Sequence, residues 1–236
     1  MQNKLFLLIL LAGLASCGDS GIYGTTGSSS QLPRLNSTFV YDHEQTIIPV
    51  KKEDEDTTYR YEMTAKINRD EVQVPGLEGC VDVNIYDANG IDVGTMMYRI
   101  GLDGSGDINY IQPQFTNRWT KLPISTKQSI TGPDTVIGQP NQFYQEIRQK
   151  TTYLGTESVA VGSEQLDCEK VQWERWIKEM DEYGGSGTLY EKWTYWYSKE
   201  LGFFVQRESF IDSKRKHAIR WKYSTKEKLK SYNVVK

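Results

Sequence analysis

Three cysteines, two histidines and seven prolines among 236 residues leave this sequence short of the side chains from which most metal and nucleophilic centres are made. A zinc site gathers three or four ligands at recognisable spacings. Neither His43 nor His217 sits in a spacing that brings a second metal ligand to its side, so neither a metal centre nor a histidine-dependent active site is expected, and both are read as surface residues. No Gly-x-Ser-x-Gly elbow occurs, which argues against a serine hydrolase of that kind. Asp103-Gly104-Ser105-Gly106-Asp107 begins like a calcium loop. Ile108 stands where that loop needs glycine and Gln114 where it needs a bidentate glutamate, so a solvated turn is expected instead. Glu200 and Glu208 show no spacing that would hold two carboxylates across a cleft. The sequence therefore predicts no enzyme, no catalytic residue, no metal and no cofactor. Net charge is −3, from 28 Lys and Arg against 31 Asp and Glu, with no general basic excess to attract nucleic acid. Long apolar runs are also missing: Leu5–Leu14 falls well short of the ~20 residues that cross a bilayer as a helix.

That short run is nevertheless informative. It follows Lys4 and ends at small residues, the anatomy of a signal peptide over residues 1–16. Leu14-Ala15-Ser16-Cys17 closes it with an aliphatic residue and two small ones before cysteine, and resembles the lipobox of bacterial lipoproteins. The resemblance implies cleavage in front of Cys17, diacylglyceryl transfer to its thiol and acylation of the new amino terminus. Several acyl chains anchor a protein stably where one chain binds only marginally. An ordinary secretory signal that ends near a cysteine is the alternative. In enterobacterial lipoproteins, aspartate directly after the lipidated cysteine retains the protein at the inner membrane. Gly18 takes that place here and Asp19 follows it, so the resemblance implies the outer membrane, on its periplasmic or its surface-facing side. Residues 17–36 then read as the lipidated cysteine and a flexible Gly/Ser-rich tether, and residues 37–236 as one β domain with a basic C-terminal tail.

From Thr38 the sequence alternates. Tyr59, Tyr61, Met63, Ala65 and Ile67 are separated by polar residues, and so are Val81, Val83 and Ile85; this is the period of half-buried strands, with these residues facing the interior. Asn89-Gly90 marks a hairpin, because both residues tolerate positive φ. Further strands are predicted near 143–161, 166–178, 188–198, 202–211 and 216–223, separated by turn signals such as Gly184-Gly185-Ser186-Gly187 and Asp212-Ser213. Trp173-Glu174-Arg175-Trp176-Ile177 fits both periods and is assigned to a strand. The 142–150 segment is the best place for a short helix. The predicted class is all-β, a curved antiparallel sheet or open barrel with at most short helices. With Cys17 lipidated, Cys80 and Cys168 remain as an even pair in an oxidising compartment, either as a disulfide or as two buried thiols.

Aromatics and late positive charge are the remaining signals. Trp173, Trp176, Trp193, Trp196 and Trp221 fall within fifty residues, and either face a ligand or fill a core. From Ser213 onward nine cations, among them Lys214, Arg215, Lys216, Arg220 and Lys222, meet the single acid Glu227. They read as a solvated strand and tail, or as contacts to anionic lipid. Val159-Ala160-Val161 with Leu166–Val171, followed by Trp196-Tyr197 and Gly202-Phe203-Phe204-Val205-Gln206-Arg207-Glu208, resembles the LolA/LolB-type lipoprotein carriers. That resemblance implies a curved antiparallel sheet around an apolar cavity. The expected function is thus a membrane-anchored, non-enzymatic envelope lipoprotein that binds an apolar or amphiphilic ligand, or else a structural or assembly partner of another envelope protein.

Overall fold

The computed structural model describes residues 32–49, 55–92, 98–111, 119–132, 134–138, 144–180, 186–215 and 221–235. The signal segment, Cys17, most of the tether, Lys216, His217 and Arg220 lie outside the described residues, as do the side chains of Arg215 and Trp221. Thirteen strands and no helix occupy the described part: β1 (Thr38–Ile48), β2 (Thr57–Val74), β3 (Leu77–Asp87), β4 (Tyr98–Asp103), β5 (Ile108–Ile111), β6 (Thr120–Leu122), β7 (Ile130–Thr131), β8 (Thr135–Gly138), β9 (Tyr144–Val161), β10 (Glu164–Met180), β11 (Ser186–Ser198), β12 (Phe203–Arg215) and β13 (Trp221–Asn233). All belong to one antiparallel sheet in the order β6-β5-β4-β3-β2-β1-β13-β12-β11-β10-β9-β7, with β8 also on β9. The sheet curls into a half-barrel, so the predicted all-β class and curved sheet are observed.

Curling follows from irregular registers in neighbouring strands. Pairing shifts at Val40/Tyr41, at Lys170/Val171 and at Trp196/Tyr197, and each such bulge bends and twists its strand. Gly155 sits opposite Lys170 at one of them with φ +112°, a conformation side chains resist, although nothing would obstruct a Cβ there. The curl brings β5 against β11 and β12. Tyr110 lies 6.0 Å from Tyr195 and 6.2 Å from Phe204, and Phe39 stacks on Phe203 at 3.9 Å. Together with Met63, Ala65, Ile67, Val81, Val83, Ile85 and Tyr98 these rings form the core at one end of the half-barrel. Near that end Glu169 accepts from Tyr153 and Thr156 and pairs with Lys127 and Lys199, which pins the segment after β6 onto β9 and β10.

Several expectations change. Of the 142–150 segment, the described residues 144–150 are strand, because β9 pairs with β10 along its whole length and tertiary pairing outweighs local helical spacing. Packed structure begins before residue 37: Leu32 belongs to the core, and Arg34 N donates to Val235 O at 3.2 Å. The basic segment is not a tail. β13 lies inside the sheet between β1 and β12, with Leu229 and Glu227 buried. Asp103–Asp107 is a turn with Gly104 and Ser105 exposed, as expected, but its two carboxylates are not solvated. Asp107 is fully buried, accepts from Ser125 N and from Thr126 N and Oγ1, and shares Lys121 with Asp103 at 3.2 and 2.7 Å, so both carboxylates are spent on fixing the turn. Asn89-Gly90 forms the expected tight turn, with Gly90 at φ +75° and Asp87 accepting from Asn89 N and Ile91 N.

No disulfide joins Cys80 and Cys168; both are free and buried. Five strands separate β3 from β10 in the sheet. Cys80 packs on Gly101, where an added Cβ would overlap its sulfur, and Cys168 Sγ donates to Leu166 O at 3.4 Å. Burial pushes the two thiols up to about 11 and about 12, which keeps them protonated and unreactive.

Candidate functional site

Directly opposed residues in a sheet share one face, and the register arranges the core-facing side into rows. The first row crosses β11, β12, β13, β1 and β2 as Tyr195, Arg207, Glu227, His43 and Tyr61. Arg207 Nε lies 2.6 Å from Glu227 Oε2, and His43 Nδ1 lies 3.2 Å from Glu227 Oε1. All three side chains are at least nine-tenths buried. Burial alone would raise the Glu227 carboxyl, but the charge of Arg207 and then the contact with His43 outweigh it and hold it below the usual range. Burial likewise disfavours the Arg207 cation, and Glu227 reverses that. The guanidinium also lies 5.1 Å from the Tyr98 ring and 5.8 Å from that of Tyr41, and Tyr61 stacks on His43 at 4.5 Å.

One step further from the core, the second row reads Thr151, Trp173, Trp193, Ser209, Thr225, Gln45 and Tyr59 across β9 to β13, β1 and β2. Indoles stand on one side and a phenol on the other, with small hydroxyls between. Ser209 Oγ and Thr225 Oγ1 are 2.7 Å apart. The third row contains Gln149, Arg175, Glu191, Ile211, Tyr223 and Ile47. Arg175 pairs with Glu191 and lies 5.2 Å from the Trp173 ring. Beyond it come Ile147, Ile177, Leu189 and Ser213. Exposure rises along β1 and β2 in this direction: Met63 is 3% exposed, Tyr61 40% and Tyr59 51%. Tyr59 and Tyr61 therefore face the interior side, as alternation predicts, but are not covered. Along β10 and β12 the same rows stay sheltered, with Trp173, Ile177 and Ile211 buried. This face, sheltered along β10 and β12 and open along β1 and β2, is termed the trough.

The predicted ligand-facing tryptophans divide. Trp173 and Trp193 oppose each other on the trough face. Trp176 and Trp196 have the other strand parity and occupy the opposite face. Trp176 packs on Tyr190, and Lys170 lies 4.6 Å from the Trp196 ring. Trp221 opens β13 opposite Ser213. Of the basic residues, Lys214 and Lys222 both face Asp212, at 3.5 and 3.3 Å, while Lys226 pairs with Glu208 and Lys230 with Glu62. Four cations of that face are thus each paired with a carboxylate.

The sequence reading missed Arg207, Glu227, His43, Gln45, Ser209 and Thr225 as site residues. His43 is 6% exposed, not a surface residue. Its parity with Phe39 and Tyr41 was the available signal, as was that of Glu227 with Leu229 and Tyr223 among the lysines.

No family model matches the chain, and no curated protein matches it. Among solved structures it is similar to a candidate lipoprotein from Parabacteroides distasonis, at 14% identity and a TM-score of 0.42 over 85% of this chain and 98% of that one. A candidate exported protein with a YmcC-like fold from Bacteroides fragilis aligns at 13% identity and a TM-score of 0.39, over 86% and 98% of the two chains. The candidate lipoprotein YmcC of Escherichia coli aligns at 9% identity and a TM-score of 0.31, over 86% and 89%.

Proposed function

We propose that this chain is a lipid-anchored lipoprotein of the bacterial envelope whose β domain binds, without chemical conversion, an amphiphilic molecule in the trough. The lipobox at Leu14–Cys17 supports the anchor, and Gly18 after the cysteine supports the outer membrane. One observation carries the ligand reading. Along a single continuous face the rows pass from a self-neutralised ion cluster through hydroxyls flanked by rings, then a row in which the Arg175–Glu191 pair stands beside Ile211 and Ile47, to Ile147, Ile177 and Leu189, so that polar and apolar groups suited to an amphiphile share one surface. The resemblance to the LolA/LolB carriers points the same way. A binding role is favoured over catalysis because Arg207, Glu227 and His43 engage one another, as do Arg175 and Glu191.

Native mass spectrometry of the chain from residue 18 onward, which keeps every described residue and lacks Cys17, tests the ligand reading. A co-purifying lipid-sized species that leaves on activation is expected. A protein that stays empty even after incubation with envelope lipid extract would remove the reading. It would favour the rival, an assembly partner docked on the opposite face, where Trp176 is 41% exposed beside Tyr190 and Phe210.

A further inference from the structure

We infer that the trough selects an uncharged, hydroxyl-bearing headgroup, as in a monoacylglycerol or a glycolipid, over an anionic one; this rests on the amphiphile reading above. Two cations stand on the trough face near its middle, and each already has a carboxylate. Arg207 donates to Glu227, and Arg175 pairs with Glu191 while lying over the Trp173 ring. A phosphate or carboxylate entering between them would lose its water and meet a face whose positive charge is already neutralised.

In the second row, the groups that are not saturated are neutral. Among the described residues the Gln45 side-chain amide makes no hydrogen bond, so its carbonyl and amino group can both serve a ligand. Ser209 and Thr225 share one hydrogen bond between two hydroxyls, which leaves one O–H to donate outward and lone pairs to accept. These three residues sit side by side across β12, β13 and β1, with Trp193 beyond Ser209 and Tyr59 beyond Gln45. A polyol head fits between the rings, and Ile211, Ile47 and Leu189 in the next rows line the path of an acyl chain toward the rim. The external lysines do not alter this selection, since Lys214 and Lys222 face Asp212 on the other side of the sheet.

The test compares two probes that share a glycerol and a twelve-carbon chain and differ by a phosphate: monolauroylglycerol and lauroyl lysophosphatidate. Both are titrated below their micelle concentrations into the chain from residue 18 onward, with tryptophan fluorescence as the readout. Monolauroylglycerol is expected to bind about tenfold more tightly, and Gln45→Leu to weaken it severalfold without changing the lysophosphatidate titration. Equal or tighter binding of the lysophosphatidate would overturn the headgroup selection and leave the trough as an amphiphile site. Binding of neither probe would remove both. Unchanged monolauroylglycerol binding in Gln45→Leu would dismiss the assigned head position.

Discussion

A buried carboxylate is tolerable only when its charge is answered, and Glu227 is answered by the guanidinium of Arg207, with His43 Nδ1 3.2 Å from its other oxygen. Removing one partner strands the other. Glu227→Leu should cost about 3–5 kcal/mol in urea unfolding, because Arg207 would remain charged among Tyr41, Tyr98 and Phe204. Adding Arg207→Met to that variant should restore most of the loss. A double variant as unstable as the sum of its parts would show that the two side chains act independently. Since the folded Glu227 carboxyl is held below its ordinary value, its contribution is complete above the usual carboxylate range and is lost as pH falls through the folded value. Wild-type stability should therefore drop below about pH 4, and the Glu227→Leu/Arg207→Met variant should lose less of it in that window.

At the level of the strand, alternation was the legible part. It located β2, β3 and β9–β12 and put Met63, Val81, Val83 and Ile85 on the buried side, but it caught only the first residues of β13 and read the rest as a tail. What it could not supply was how far the opposing layer extends, which is why Tyr59 and Tyr61 have the right face and the wrong exposure. Nor could it supply registers across strands distant in sequence, such as β1 with β13, on which the Arg207–Glu227–His43 row depends. Trp173 and Trp176, three residues apart, had to fall on opposite faces of any strand, so part of the tryptophan division could have been read in advance. The β3–β4 pairing offers a test of packing between strands. Gly101→Ala would press a methyl group onto Cys80 Sγ and the Leu77 side chain, at an expected cost of about 1–3 kcal/mol. Cys80→Ala in the same chain should relieve part of that cost in thermal unfolding. Strictly additive losses would mean that the clash is taken up elsewhere.

For the whole molecule, the lipobox and the trough make separate claims. Cys17→Ser should abolish metabolic labelling with palmitate while leaving the unfolding transition unchanged, because the Gly/Ser-rich sequence after Cys17 reads as a tether and not as part of the β domain. Labelling that survives would place the anchor elsewhere. The trough claim is that ligand lies on the face of Trp173 and Trp193 and not on that of Trp176. Quenching of tryptophan fluorescence by a monoacylglycerol brominated on its chain tests this most directly, since bromine quenches only rings it touches. The account predicts strong quenching in wild type and in Trp176→Phe, and loss of most of it in Trp173→Phe/Trp193→Phe. Quenching that persists in the double variant and disappears in Trp176→Phe would put the ligand on the opposite face and contradict the account.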